Sequence, residues 1–318
     1  MMHALASNRA LIAFIGVVIV FVLGTLFIPG FGSLFSVRAM LILASLLAIA
    51  ALGQTLVMIL GGIDLSIPFV IGFANVVFAS LYGDGMPAVF AFVIVIAGSA
   101  LIGALSGALS AGLSIHPLIV TLGIGTIVQA AVQIWTRGLP TGSAPPFIND
   151  FVSLGGTIGP LPFPWLIPFT LALTLGCVFV LRRTVYGRRL YALGSNLKAA
   201  ELALIRPVAM WMTTFALSAI FAAIAGILLL GFTGSSSATV GTPYLFQTIC
   251  AVVIGGTALV GGRGGFVGTV AGAVVLMELR TLLIGLGLSE ALVQSALGVL
   301  ILALVAAYGR DQHIRNLI

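Results

Sequence analysis

Residues 181–207 read LRRTVYGRRLYALGSNLKAAELALIRP, and this polar, basic segment interrupts a chain that is otherwise almost free of charge. Its charged residues are Arg182, Arg183, Arg188, Arg189, Lys198, Glu201 and Arg206. Of all 318 residues, 61% are hydrophobic and only 6% are charged, whereas soluble domains carry about a quarter charged residues. The composition therefore predicts an integral membrane protein whose basic segment lies outside the lipid.

Apolar runs of about 20 residues recur on both sides of this segment, and that is the length a helix needs to cross a bilayer. The chain is predicted to be all-α: a polytopic bundle of about ten transmembrane helices, with the shorter runs broken or re-entrant, in a single domain over 1–318. The predicted spans are 10–28, 39–60, 67–82, 88–111, 118–136, 165–181, 208–231, 245–260, 266–284 and 290–308.

The distribution of Lys and Arg predicts the orientation of these spans, because cytoplasmic loops concentrate basic residues. The most basic loop, 182–207, is assigned to the cytoplasm. Six spans precede it, so the N-terminus with Arg9 is predicted to be cytoplasmic, as is the tail with Arg310 and Arg315. The Pro- and Gly-rich loop 137–164 is then external, where it either caps the bundle or receives an external partner.

Within the basic loop, NLKAAELALI (196–205) is rich in helix-forming residues. Ser195 or Asn196 can cap the start of this helix, and Pro207 is expected to end it. Such a helix can dock into a groove on a soluble protein. It can equally be a solvated connector that only sets the topology.

The stretch YGRRLYALGSNLKAAELALI resembles the cytoplasmic coupling segment of ribose-type permeases, the membrane subunits of bacterial ATP-binding-cassette (ABC) sugar importers. The family has a glycine where Leu204 stands here. The resemblance extends to GQTLVMILGGIDLS (53–66), where Ile67, Pro68 and Phe69 replace the small residues that usually follow, and to AVVIGGTALVGGRGGFVGTVAGA (251–273). The coupling residues that it implies are Gly187, Arg188, Tyr191, Ala192, Gly194, Asn196, Ala199, Ala200 and Glu201.

This resemblance implies the channel-forming half of an importer in the bacterial inner membrane. Such a subunit pairs with a second copy or a paralogue, and binds an ATPase at its coupling helix. It receives its substrate, here a monosaccharide or polyol, from an external binding protein. No cofactor is implied.

The glycine pairs Gly61–Gly62 and Gly255–Gly256 are either breaks in helices beside the path or notches where helices pack closely. A carboxylate at membrane depth, such as that of Asp64, is costly and points to function. It can cap the next helix with Ser66, pair with an arginine across the subunit, or line the path. The path and gating candidates are Gln54, Gly61, Gly62, Asp64, Ser66, Asn75, Gln129, Gln133, Gly255, Gly256 and Glu278.

These polar side chains have open interpretations. Amides inside spans can hydrogen-bond sugar hydroxyls or bridge helices, and Glu278 either makes an interhelical contact or lines the path. Arg280 is expected to extend toward the outer surface.

The sequence has no phosphate-binding GxxxxGK[ST] motif, no metal-ligand cluster and no nucleophile beside a base. We therefore expect a transport subunit rather than an enzyme, with ATP hydrolysed on a partner chain. Two alternatives stay open. One is an ATP-independent channel or facilitator for a small neutral solute, which would carry solute alone. The other is an ABC permease for branched-chain amino acids, whose zwitterionic substrate would favour more fixed charge beside the path.

Overall fold

The computed structural model describes residues 9–308 as helices joined by short loops. The basic tail with Arg310 and Arg315 lies outside the described residues. The helices are α1 Arg9–Phe27, α2 Leu34–Leu60, α3 Ile67–Gly83, α4 Ala88–Gly112, α5 Pro117–Trp135, α6 Pro146–Val152, α7 Leu166–Arg183, α8 Val185–Ser195, α9 Leu197–Leu202, α10 Pro207–Thr233, α11 Tyr244–Ile254, α12 Phe266–Gly285 and α13 Glu290–Tyr308. The all-helical membrane architecture is confirmed.

Each of the ten predicted spans coincides with one of these helices. Six are long and apolar enough to cross a membrane: α2, α4, α5, α7, α10 and α12. Four more are apolar but shorter over the searched residues, namely α1, α3, α11 and α13. The count of ten crossings remains a prediction.

Two predicted boundaries were wrong. The eighth span, predicted as 245–260, ends at Ile254, because the glycine pair that follows leaves the helix and Gly256 adopts φ +85°. The cytoplasmic helix that was expected to continue to Pro207 is α9, which ends at Leu202, and a further helix, α8, precedes it.

Small residues allow the longest helices to pack closely at the centre of the bundle. Gly103 and Gly107 of α4 lie against the backbone of α10 at Phe215 and Trp211. Gly53 of α2 lies against the Cα atom of Ser218, near the middle of α10. In a membrane such close contacts replace the hydrophobic effect as the source of helix association. The helices α2, α4 and α10 therefore form the core that positions the loops described below.

The helices α2–α5 and α10–α13 form two similar halves. In each half a 27-residue helix is followed by a non-helical segment and a shorter helix. The contacts correspond as well. The long helix of each half packs on the third helix of the other half: α2 contacts α12, and α10 contacts α4. The short helix of each half packs on the long helix of the other half: α3 contacts α10, and α11 contacts α2. The end of α2 and the start of α10 lie at the same end of the bundle, beside α8. The halves therefore run in opposite directions, as in the inverted repeats of transporters.

Candidate functional site

The first non-helical segment, residues 61–66, turns back from the end of α2 into the middle of the bundle. Gly61 ends α2 in the left-handed conformation, with φ +97°. Asp64 then lies beside Ser218, near the middle of α10, so α3 begins well inside the bundle and not at its surface. Residues 61–66 are thus a break between two helices of the kind that the glycine pair predicted.

The carboxylate of Asp64 links this break to α10. One oxygen accepts hydrogen bonds from the backbone N–H of Ser66 at 2.8 Å and from its hydroxyl at 2.6 Å. The other oxygen accepts a bond from the hydroxyl of Ser218 at 2.7 Å. Among residues 9–308 no arginine pairs with Asp64. Of the three roles considered, the geometry favours structural bonding within one chain: Asp64 closes the turn at Ser66, the N-cap residue of α3, and bridges it to α10.

Gln54 completes the polar cluster around Asp64. Its side-chain oxygen accepts a bond from the backbone N–H of Asp64 at 3.3 Å. Its amide nitrogen is fully buried and has no hydrogen-bond partner among the described residues. From the other side, Thr121 of α5 accepts a bond from the N–H of Leu65 at 3.0 Å. Four helices therefore meet at this break: α2, α3, α5 and α10.

A second non-helical segment, residues 234–243, reads GSSSATVGTP and reaches the same region from the other half of the bundle. Asn75 of α3 holds it by accepting a bond from the N–H of Ser237 at 2.9 Å and donating one to the carbonyl of Gly226 at 3.1 Å. A Cβ atom at Gly241 would collide with the carbonyl of Pro68. The second break thus packs on α3, whose start adjoins the first break. It was not predicted from the sequence, although its run of small residues after Gly234 signals the end of a helix.

The glycine pair 255–256 does not form that second break. A Cβ atom at Gly255 would collide with the backbone of Gly268, so this pair is a packing notch between α11 and α12. Gly62 is buried against the ring of Trp211. The glycines of the two motifs therefore serve different purposes: 61–62 begins a break, and 255–256 permits close packing near the coupling segment.

The coupling segment, residues 184–206, packs on the ends of both glycine motifs. A Cβ atom at Gly194 would collide with the carbonyl of Ile59, and Gly262 donates a hydrogen bond to that same carbonyl at 2.8 Å. Tyr191 donates a bond from its hydroxyl to the carbonyl of Gly264 at 2.8 Å. The end of α8, the end of α2 and the loop before α12 therefore meet at one point.

Several of the coupling candidates shape the segment itself. Asn196 caps α9 by accepting a bond from the N–H of Ala199 at 3.0 Å, as predicted. Gly187 packs against the backbone of Leu181, and Ala200 is buried. At the start of α8 the hydroxyl of Tyr186 lies 3.0 Å from that of Thr214, and burial raises the pKa of Tyr186 to about 12. Arg188, Ala192, Ala199 and Glu201 are exposed and free to contact a partner.

The turn after α9 is strained. Leu204, which stands where the resemblance expects glycine, has φ +59° in the left-handed region, which costs a residue with a Cβ atom roughly 1–2 kcal/mol. Its side chain is 90% exposed, and that of the nearby Leu202 is 87% exposed. Two large apolar side chains therefore project from the tip of the segment.

The remaining path candidates are not part of the cluster around Asp64. Gln129 donates a weak bond to the carbonyl of Ala238 at 3.5 Å, so it supports the second break, whereas Gln133 is exposed. Glu278 is buried in α12, and one carboxyl oxygen has no partner among the described residues. Arg280 reaches Glu290 at the start of α13 and forms an ion pair with it at 2.9 Å. Residues 9–308 hold no group of three or more His, Cys, Asp or Glu side chains that could bind a metal ion.

Comparison with known proteins places these features in one family. The chain is 32% identical over 286 residues to the ribose import permease protein of Escherichia coli (strain K12), covering 90% of this chain and 88% of the relative. It is 31% identical over 320 residues to the fructose import permease protein of Rhizobium meliloti, covering 99% and 88%. It is 32% identical over 283 residues to the autoinducer 2 import system permease protein of Klebsiella pneumoniae, covering 89% and 81%.

No solved structure gives a significant match. The family model described as branched-chain amino acid transport system / permease component matches residues 36–306, which contain both breaks and the whole coupling segment. The chain belongs to this family of transport-system permeases.

Proposed function

We propose that this chain is the membrane-spanning permease subunit of an ABC importer that carries a monosaccharide or similar polyol across the bacterial inner membrane. The relatives named for ribose and fructose import match over about nine-tenths of this chain or more and support the substrate class. The observation that carries the mechanism is the junction of Gly194 with Ile59 and Gly262. At this junction the coupling segment, which faces the cytoplasm in the predicted orientation, contacts the end of α2, and α2 leads directly into the break at 61–66.

The tip of the coupling segment is the docking point for a separate ATPase. Leu202 ends the short helix α9 and Leu204 follows it, and both residues are about nine-tenths exposed. Apolar side chains exposed together on a polar surface mark interaction sites. Arg188 and Glu201 are also exposed, and they offer charges of both signs around the apolar tip. A groove on the ATPase that accepts the two leucines would therefore hold this segment.

Movement of the docked segment would reach the breaks through rigid contacts. Backbone lies directly against backbone at Gly194, so α8 cannot shift without displacing the end of α2 or the loop before α12. The end of α2 continues into residues 61–66, which Asp64 ties to α10. Hydrolysis of ATP on the partner chain would thereby alter the packing of the two halves around the breaks.

The other partners follow from the predicted topology. The loop 137–164 is external in that topology, and it contains α6, which lies against α10. It is the surface on which a substrate-binding protein would deliver sugar. A second copy of this chain or a paralogue would complete the path, with both termini in the cytoplasm.

A branched-chain amino acid substrate is the second candidate, because the family description names that class. The polar cluster at the first break contains one neutral donor without a partner among the described residues, the amide nitrogen of Gln54. Its one carboxylate, on Asp64, is already engaged by three hydrogen bonds. A zwitterion would require a free charge of each sign, whereas a sugar is satisfied by neutral donors and acceptors. The polar groups therefore favour the sugar.

The experiment that tests the function compares wild-type cells with cells that lack this chain. Uptake of radiolabelled D-ribose, D-fructose and L-leucine is measured, and the chain is then purified in mild detergent from native membranes. We expect loss of uptake of one sugar and co-purification of a P-loop ATPase. Loss of leucine uptake alone would establish the second candidate. Solute entry into ATP-free vesicles that contain only this chain would establish a facilitator.

A further inference from the structure

A cavity of about 130 Å³ lies between α11, α12 and α13, beside the second break. Its polar lining comes from Thr242 at the end of that break, Gln247 in the first turn of α11, and Gln294 of α13. Cys250 and Leu276 form part of its apolar wall. None of the path residues predicted from the sequence lines this cavity.

The polar side chains of the cavity make no side-chain hydrogen bond with any residue in the described range 9–308. Gln247 is the buried one of the three and is only 7% exposed. Thr242 and Gln294 are exposed and line the cavity beside it. A buried polar group is normally hydrogen-bonded, because leaving it unpaired costs about 1–3 kcal/mol. The amide of Gln247 therefore points to a polar molecule in the cavity.

The size of the cavity indicates what that molecule is. One water molecule needs roughly 10–15 Å³ measured in this way, so 130 Å³ holds on the order of ten water molecules. A pentose or hexose has a similar number of non-hydrogen atoms. Neutral amides and a hydroxyl can donate and accept bonds with sugar hydroxyls, while Leu276 and Leu297 face the C–H groups. No charged side chain lines the cavity.

We infer that this cavity is a sugar-binding station on the transport path, in which Gln247, Thr242 and Gln294 hold the hydroxyl groups of the solute. The inference rests on the proposed function. The location supports it, because short helices that begin inside the membrane mark the substrate sites of many transporters. Here α11 begins beside Gly241, which touches the start of α3 at Pro68. The station therefore adjoins the contact between the second break and the start of α3.

The test uses the native strain, with this chain together with its own partners. The first arm deletes the chain and identifies which of D-ribose and D-fructose depends on it. The second arm replaces Gln247 by Ala, and separately Gln294 by Ala, and measures the uptake of that sugar. Ser295→Ala is the matched control, because Ser295 is exposed beside Gln294 and its hydroxyl bonds only to its own helix at Ala291. Membrane levels of all variants are compared by immunoblot.

We expect Gln247→Ala to lower the maximal uptake rate by about tenfold, the effect of losing one or two hydrogen bonds, and to leave the apparent KM unchanged. The KM should stay because the binding protein, not this cavity, captures the sugar. Gln294→Ala should lower the rate by a smaller factor, and Ser295→Ala should match wild type. Wild-type uptake by both glutamine variants would overturn the inference while leaving the proposed function intact. A deletion that changes the uptake of neither sugar would instead refute the proposed function.

A third arm measures occupancy directly and still applies if the Gln247 variant fails to fold. In a Cys177→Ser background, Cys250 is the remaining cysteine and lies in the cavity wall. Native membranes are treated with N-ethylmaleimide in the presence and absence of the sugar found in the first arm. We expect the sugar to slow labelling of Cys250 at least about threefold. An equal rate with and without sugar, or a Cys250 that never reacts, would contradict a solute-accessible station.

Discussion

The hydrogen bonds of Asp64 allow one prediction to be worked through quantitatively. Replacement of Asp64 by Ala removes three bonds, two from Ser66 and one from Ser218, and leaves these buried donors unpaired. A bond to a charged group contributes about 1.5–3 kcal/mol and a bond to a neutral group about 0.5–1.5 kcal/mol. At an intermediate value of about 1–2 kcal/mol for each of the three bonds, Asp64→Ala should lower the free energy of unfolding by about 3–6 kcal/mol.

Thermal unfolding of the purified chain in detergent measures this loss. For a chain of this length, 1 kcal/mol corresponds to about 2 °C in Tm, so we expect Tm to fall by about 6–12 °C. Asp64→Asn keeps one acceptor oxygen, so its Tm should lie between those of Asp64→Ala and the wild type. The matched control is Asp84→Asn, because Asp84 is exposed and its side chain makes no hydrogen bond with a described residue.

A double-mutant cycle isolates the bridge from the break to α10. Ser218→Ala alone removes one of the three bonds and should lower Tm by about 2–4 °C. In the Asp64→Ala background the same change should have little further effect, because its partner is already absent. Additive effects would show that the two side chains act independently. A Tm for Asp64→Ala equal to that of Asp84→Asn would refute the bridging role. If such a variant then lost only transport, Asp64 would instead be assigned to the lining of the transport path.

Three further predictions concern the coupling segment. Gly194→Val should abolish sugar uptake without loss of membrane insertion, because its side chain collides with Ile59; normal uptake would show that the junction transmits no force. Leu204→Gly should raise Tm by about 2 °C, since it relieves about 1 kcal/mol of strain in the left-handed backbone. It should also weaken co-purification of the ATPase. A lower Tm would contradict the strain at this position. Tyr191→Phe removes the bond to Gly264 and should reduce the uptake rate several-fold with normal ATPase binding, and an unchanged rate would assign that bond no role in coupling.

The sequence predicted much of this fold because apolar run length and basic clusters act locally. The ten predicted spans coincide with ten helices, since each run must satisfy its own backbone hydrogen bonds in lipid. The cap by Asn196 and the break at Gly61 were also predictable, because each depends on one residue type and its neighbours.

The parts of the site that were not predicted depend on contacts between distant segments. The role of the pair Gly255–Gly256 is decided by Gly268 of α12, whose backbone lies against Gly255. Ser218 lies 154 positions from Asp64, and its own sequence context is ordinary for an apolar helix. Gln247 was absent from the path candidates because an amide in an apolar run looks the same whether it bridges helices or lines a cavity. Only the absence of a partner distinguishes the two cases.

The two breaks explain how the coupling segment can contact the end of α2 while the polar cluster around Asp64 lies in the middle of the bundle. In the inverted arrangement, one break follows a helix that ends beside α8, and the other follows a helix that ends at the opposite face. Asn75 and Gly241 join the second break to α3, the helix that follows the first break. A displacement at the Gly194 junction thus acts directly on the half that contains Asp64, and reaches the cavity at Gln247 through the contact of α3 with the second break. If the coupling reasoning holds, variants of Asn75 should separate the two events, leaving ATPase docking intact while uncoupling it from sugar uptake.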